Sequence, residues 1–255
     1  MKILVSNDDG IFSPGLVALA EVASQFGDVM IFAPDFEQSA VGHAITIQRP
    51  LQYHRVKQLK GFEAYRVNGT PADCVAMGLF HWGGADLVLS GINLGSNLGN
   101  DIWHSGTVAA AKEAVLLGVQ AVAFSQEING DEPIYEKQKP FIAEIIRTLT
   151  NGNQPRLVNV NLPKEPVGIR WTHQSVRSYN GKVVPSQDPQ GRKHYWFSAI
   201  PLTAPDENSD RWAVDNGLVS LTPLRLSLTD DNWLRNIWIE KESLTMEMGL
   251  LVKPD

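Results

Sequence analysis

From Ile3 to Asn161 the chain alternates short apolar runs with stretches that repeat at helical spacing. Ile3-Leu4-Val5 drives into Asn7-Asp8-Asp9-Gly10, which reads as a buried parallel strand whose carboxyl end opens on a crevice. Ser13-Pro14 then reads as an N-cap and first helical position, with apolar residues recurring to Phe26 and Gly27 closing the helix. Val29–Ala33 is a second buried strand, stopped by Pro34, so the opening is a βαβ unit. Residues 35–44 form a loop, and 45–67 reads as two or three antiparallel strands. A turn at Asn68–Pro71 leads into a helix over Ala72–Phe80. A buried strand over Asp86–Ser90 precedes a long glycine- and asparagine-rich loop, Gly91–His104.

Ser105 caps a helix over Val108–Leu117, ended by Gly118. Strand Val119–Phe124, amphipathic helix Pro133–Leu149 and strand Leu157–Asn161 complete the alternation, which predicts an α/β fold with a doubly wound, mostly parallel sheet. Past Pro163 the texture changes, so the domain reading is a core over 1–163 and an extension over 164–255. Strands are expected at Arg170–Arg177, His194–Ile200 and Leu218–Thr222, with a polar loop holding Pro185, Pro189 and Gly191 between the first two. Trp233–Ile239 and Leu244–Leu251 are apolar without a clear period. Core packing is expected for most of Trp196, Trp212, Trp233 and Trp238, and an oligomer interface for the rest.

Composition adds limits rather than a fold. At 255 residues, 43% hydrophobic and 20% charged, this is an ordinary globular chain. A net charge of −6 with no basic block argues against a nucleic-acid polymer as partner. A single cysteine, Cys74, excludes an internal disulfide and fits a reducing compartment. With no signal core and no apolar run of membrane-spanning length, a cytoplasmic location is expected.

The chemistry concentrates in loops at the carboxyl ends of parallel strands, which converge in a doubly wound sheet. Two adjacent carboxylates, Asp8 and Asp9, are costly there unless a cation or hydrogen-bond donors meet them, although Asp-Asp-Gly is also a common turn. With amide and hydroxyl oxygens they form a set suited to Mg²⁺ or Mn²⁺. In the second loop, Gly91, Gly95 and Gly99 permit close backbone approach, and Asn93, Asn97 and Asn100 supply amides. Ser105-Gly106-Thr107 opens a helix whose N–H groups favour an anion such as phosphate, or Ser105 is only a cap. Neither a G-x-x-x-x-G-K-[ST] loop nor a G-x-G-x-x-G fingerprint is present, which disfavours a dinucleotide oxidoreductase. Cys74 lacks a phosphatase cradle and reads as a core residue.

Several stretches together resemble the SurE family, the survival-protein-E nucleotidases. They are Ser6–Gly10, Ala33-Pro34-Asp35 with Ser39, Gly69–Cys74, Ser90–Asn93 through Ser105–Ala111, Asn159–Asn161 with Pro163, and Asn216-Gly217 through Leu224. The resemblance implies a Rossmann-like sheet with a C-terminal β-rich extension used in oligomerisation, as a homodimer or homotetramer. It implies a metal-dependent 5′-nucleotidase, a phosphomonoesterase acting on nucleoside 5′- and also 3′-monophosphates, with some members acting on short polyphosphate. One divalent cation per subunit, Mg²⁺ or Mn²⁺, is implied on Asp8, Asp9, Ser39 and Asn93. Asp8, Asp9 and Asn97 are the implied catalytic residues, and Asn7, Gly42, His43, Asn97, Ser105, Gly106 and Thr107 the phosphate surround. The chain departs from the family at Ala40-Val41-Gly42-His43, where His43 brings a titratable group, and at His104, where tyrosine is usual. Asp8 is either a metal ligand or a nucleophile. A non-catalytic nucleotide or sugar-phosphate binding module, or a phosphatase of broader specificity, is the rival reading.

Overall fold

Apolar runs with side chains buried on both faces need helices above and below them, and the chain provides both. The computed structural model describes residues 1–59, 61–128, 135–175, 179–201 and 204–236. Its elements begin with β1 (Lys2–Ser6), α1 (Pro14–Ala23), β2 (Asp28–Pro34), β3 (Tyr53–Arg55), β4 (Glu63–Val67), α2 (Pro71–Trp82) and β5 (Leu87–Leu94). A 3-10 helix (Gly99–Trp103), α3 (Gly106–Leu116), β6 (Gln120–Gln126), α4 (Lys139–Leu149) and β7 (Leu157–Leu162) follow. The chain continues through β8 (Gly168–Trp171), β9 (Tyr179–Gln187), β10 (Lys193–Pro201), α5 (Asp210–Asp215) and β11 (Leu218–Pro223).

Nine strands form one sheet in the order β3-β4-β2-β1-β5-β6-β7-β11-β8. From β4 to β7 every neighbour pair is parallel, while β3 and β11 pair antiparallel with β4 and β7. Ile3 and Val5 pack with α1 and α4, and Leu4 between them packs with α2 and α3. That alternation puts a separate apolar core on each face, as the doubly wound reading requires. The strands β8 and β11, which follow Pro163, extend this sheet, whereas β9 and β10 form a separate two-stranded ribbon.

The protein divides into two compact units at Leu224. The first holds every element named above. Of the second, residues 225–236 are described, with a helical segment over 231–236.

Several expectations change. Residues 45–52 are not a third strand beside the β3–β4 hairpin. Side chains take two of their N–H groups instead: Asp73 accepts from Thr46 N (2.9 Å) and Asn68 from Gln52 N (2.8 Å). β5 runs on to Leu94 across a register shift between Ser90 and Asn93, so the strand carries Asn93 into what reads as loop. Gly91 makes that irregularity possible, since its φ is +132° and a Cβ would lie 2.2 Å from the Phe124 carbonyl oxygen. The polar stretch around Pro185 is strand β9. A two-stranded ribbon leaves each strand an open edge, where a residue without an N–H is tolerated. The helix α5 has no counterpart in the sequence reading, and α1 stops at Ala23.

The helix start at Pro133, the strand end at Val176-Arg177 and most of the apolar tail with Trp238 lie outside the described residues. Core packing fails for two tryptophans: Trp196 is 66% exposed and Trp233 59% exposed.

Candidate active site

The chain moves outward from β1 to β2 and β4, then outward the other way from β5 to β6 and β7. The switch point falls between β1 and β5, where the connections diverge and a crevice opens at the carboxyl ends. Asp8 and Asp9 follow β1, and Asn93 and Leu94 end β5. Asp35 to Ser39 follow β2. Backbone bonds tie these loops together: Ile11 N donates to Pro34 O at 2.9 Å and Gln38 N to Asp8 O at 2.7 Å. Leu94 N donates to Asp9 Oδ2 at 3.2 Å.

Asp8 is 4% exposed and sits against the N-terminus of α3. The Thr107 hydroxyl donates to its Oδ1, and backbone N–H groups of Thr107 and Gly106 also reach the carboxylate. Gly106 is required for this approach, because a Cβ there would stand 2.8 Å from the Asp8 Cβ. Burial raises the Asp8 pKa above its ordinary value, and the Thr107 and Gly106 bonds work against that rise. The anion met by this helix terminus is therefore the protein's own carboxylate. Ser105 accepts from Val108 N at 3.0 Å, the bond of a plain N-cap.

Asp9 lies at the edge of an open cleft of about 490 Å³ that Glu37, Ser39, Phe12, Phe36 and Leu94 also line. Burial, the Asp8 charge and, more weakly, Glu37 push its carboxyl up to about 7, against the Leu94 N–H that lowers it. Ser39 is exposed and donates to Glu37 Oε1 at 2.5 Å. Asn93 commits its amide nitrogen to Gly95 O at 2.7 Å, so its oxygen is the atom suited to a cation.

Among the described residues no three His, Cys, Asp or Glu side chains are grouped to hold a metal. A cation here must rest on two carboxylates and neutral oxygens. The residues fit one on two grounds. Two neighbouring carboxyls, both raised by burial, gain from any positive charge. The Asn7 Oδ1 beside them is buried without a hydrogen-bond partner, while its Nδ2 donates to Gly10 O at 2.9 Å.

Asn97 is held on all sides. Its N donates to Asn161 Oδ1 at 2.8 Å and its Nδ2 to Ser125 Oγ at 2.7 Å. Its carbonyl oxygen accepts from Asn159 Nδ2 at 2.8 Å and Asn161 Nδ2 at 3.1 Å. Two residues on, Gly99 N donates to Asp210 Oδ2 at 2.8 Å, a buried carboxylate that also accepts from Ser175 N at 3.0 Å. The sequence reading gave Asn159, Asn161 and Asp210 no role. The first two had a signal: amides at alternate positions of an apolar strand share one face and need partners when buried. Asp210 had none, because its partners come from distant loops.

The loop after Ser39 turns elsewhere. Gly42 N donates to His104 O at 2.9 Å. The exposed His43 pairs with Glu113 Oε2 of α3 at 2.8 Å, not with Asp8 or Asp9.

Residues 3–181 match the family model described as Survival protein SurE. The 5′-nucleotidase SurE 1 of Thermus thermophilus is 46% identical over 240 residues, 92% of this chain and 95% of that protein. The 5′-nucleotidase SurE of Deinococcus radiodurans is 46% identical over 237 residues, 89% of this chain and 88% of that protein. The crystal structure of the Sure protein from Aquifex aeolicus matches with a TM-score of 0.80 at 39% identity, across 94% of this chain and 100% of that one.

Proposed function

Because the chain belongs to the SurE family, we propose that it is a metal-dependent 5′-nucleotidase, releasing phosphate from nucleoside 5′-monophosphates and also from 3′-monophosphates. The observation that carries this reading is the adjacent pair Asp8, buried, and Asp9, half-buried, at the switch point, with Asp9 bordering an open cleft. Asp8, Asp9, Ser39 and Asn93 hold one divalent cation, Mg²⁺ or Mn²⁺. When bound, such a cation polarises a phosphoryl oxygen and makes water a better nucleophile near neutral pH.

The protein's own groups do the positioning. Asp8 is engaged by Thr107 and Gly106, which suits a fixed ligand better than a nucleophile that must swing to attack. In this reading Ser105, Gly106 and Thr107 serve the phosphate mainly through Asp8. Asn7 and Asn97 border the phosphoryl oxygens, with Asn97 kept in place by Asn159, Asn161 and Ser125. Donors held by a rigid scaffold need no reorganisation as charge develops. Gly42 and His43 instead contact His104 and Glu113, so in this reading they act on the phosphate only from outside the cleft lining.

Assembly as a homodimer or homotetramer belongs to the same reading. The exposed Val183, Tyr195 and Trp196 of the β9–β10 ribbon support it. No helix among the described residues is long and apolar enough to cross a membrane, and the single buried Cys74 suits work in the cytoplasm.

The test is phosphate release from a panel of nucleoside 5′- and 3′-monophosphates and short polyphosphate, with Mg²⁺, with Mn²⁺ and with EDTA. Metal-dependent release from the monophosphates is expected. Nucleotide binding without release would instead make the protein a binding module.

A further inference from the structure

The lining of the cleft beside Asp9 contains no lysine, arginine or histidine, and it does contain Asp9, Asp35 and Glu37. Nothing among those described lining residues draws an anion by charge. Beyond the phosphate end, a ligand must be held there by uncharged contacts. The same lining offers two phenyl rings in solvent: Phe12 is 58% exposed and Phe36 75% exposed. Large rings left in water beside a carboxylate pair are not explained by core packing.

The backbone of Phe36 is also anchored. Its segment is tied to the carboxylate loop by Pro34 O, which accepts from Ile11 N, and by Gln38 N, which donates to Asp8 O. Asp35 N donates to Val67 O at 2.9 Å, and the Asp35 side chain meets Arg66 at 3.2 Å. The backbone that carries the ring is thus held beside the Asp8–Asp9 loop. It borders a second hollow of about 290 Å³ as well, with Arg49 and Asn68 in that lining.

A nucleobase has the chemistry that matches this end: neutral, flat, polarisable and rimmed with hydrogen-bonding atoms. Stacking on an aromatic ring is tolerant of base identity, since every base has a π-face. We propose that Phe36 is the platform on which the substrate's base stacks, with Phe12 contacting the same ligand from the Gly10 loop. This rests on the nucleotidase reading and deepens it, because it says where the nucleoside lies relative to the scissile phosphate. It also implies broad base tolerance, with Arg49 and Asn68 bordering the base edge.

The experiment compares kcat/KM for AMP with kcat/KM for ribose 5-phosphate, which keeps the phosphate and sugar and lacks the base. Phe36→Ala should lower the AMP to ribose 5-phosphate ratio at least about fivefold, the low end for losing a base–aromatic stack. Phe36→Trp should restore the ratio. Phe80→Ala, which removes another exposed ring at the carboxyl end of α2, should leave it at the wild-type value. An unchanged ratio in Phe36→Ala overturns the platform, and a change in sedimentation mass in that case would identify the ring as an interface between copies. An equal fall in Phe80→Ala also overturns it. If the wild-type protein releases phosphate from neither compound with Mg²⁺ or Mn²⁺, the nucleotidase reading fails and the platform with it.

Discussion

Thr107 donates its hydroxyl hydrogen to Asp8 across 99 residues of chain. The bond joins the first turn of α3 to the end of β1, and it orients a buried carboxylate that the helix N-terminus also faces. Outer partners of this kind typically change metal affinity or activity by about 10–100-fold when removed. Thr107→Val keeps the shape and loses the donor. It should weaken Mn²⁺ binding by calorimetry and lower turnover within that range, whereas Thr107→Ser should keep most of both. Equal metal affinity in wild type and Thr107→Val would show that Asp8 needs no such support.

The two carboxylates themselves are expected to differ from their neighbours in one telling way. Burial disfavours their charged forms, so Asp8→Asn and Asp9→Asn replace costly charges with neutral amides. Far-UV circular dichroism and thermal midpoint should be retained in both variants. Metal-dependent phosphate release should be lost. Full activity in either variant, unaffected by EDTA, would sink the metal site.

The pH dependence of stability follows from Asp9. Its carboxyl is raised from 3.8 to about 7 in the folded protein, so between those values the native state holds the proton more tightly than the unfolded chain does. Unfolding then releases protons, and stability falls as pH rises through that window. The metal-free protein should therefore melt at a lower temperature at pH 7 than at pH 5. Asp9→Asn should flatten that slope. Mg²⁺ or Mn²⁺ should raise the melting temperature more at pH 7 than at pH 5, because protons compete with the cation for the carboxylate. A melting temperature that rises from pH 5 to pH 7 in the metal-free wild type, by an amount Asp9→Asn does not change, would contradict the assignment.

Asn161 exchanges two hydrogen bonds with the backbone of Asn97. Asn161→Leu fills a similar volume and leaves that buried N–H without its partner. A loss of about 1–3 kcal/mol in urea unfolding is expected from the unsatisfied group. Turnover should fall further than the fraction unfolded explains, with KM less affected than kcat. Wild-type kcat in a destabilised Asn161→Leu protein would reduce Asn161 to a structural role.

What the linear order of residues determined by itself is short-range. Alternation of buried and amphipathic stretches predicted β1, β2, β5, β6 and β7 and the helices between them, because period and capping depend on neighbours within a few positions. The Thr70–Asp73 capping box and the Ser105 cap are of this kind. Asp8 beside Asp9 was visible as two adjacent carboxylates, and the motifs that follow them pointed to a family before any contact was known.

The three-dimensional arrangement decided the rest. Strand order placed β1 next to β5, and only then did Asp9 meet Leu94, 85 residues away. The N-terminus of α3 was readable as an anion site, but that its anion is Asp8 depends on a glycine at 106 letting two elements touch. Segment 45–52 carries strand-forming residues yet is irregular chain, and the distant side chains of Asp73 and Asn68 take its Thr46 and Gln52 N–H groups. Phe36 looked like any apolar residue after a strand until the fold left its ring in water at the mouth of the cleft. Spacing encodes which face of its own element a residue occupies. Which distant residue it meets is set by the packing of whole elements, and no local pattern carries that information.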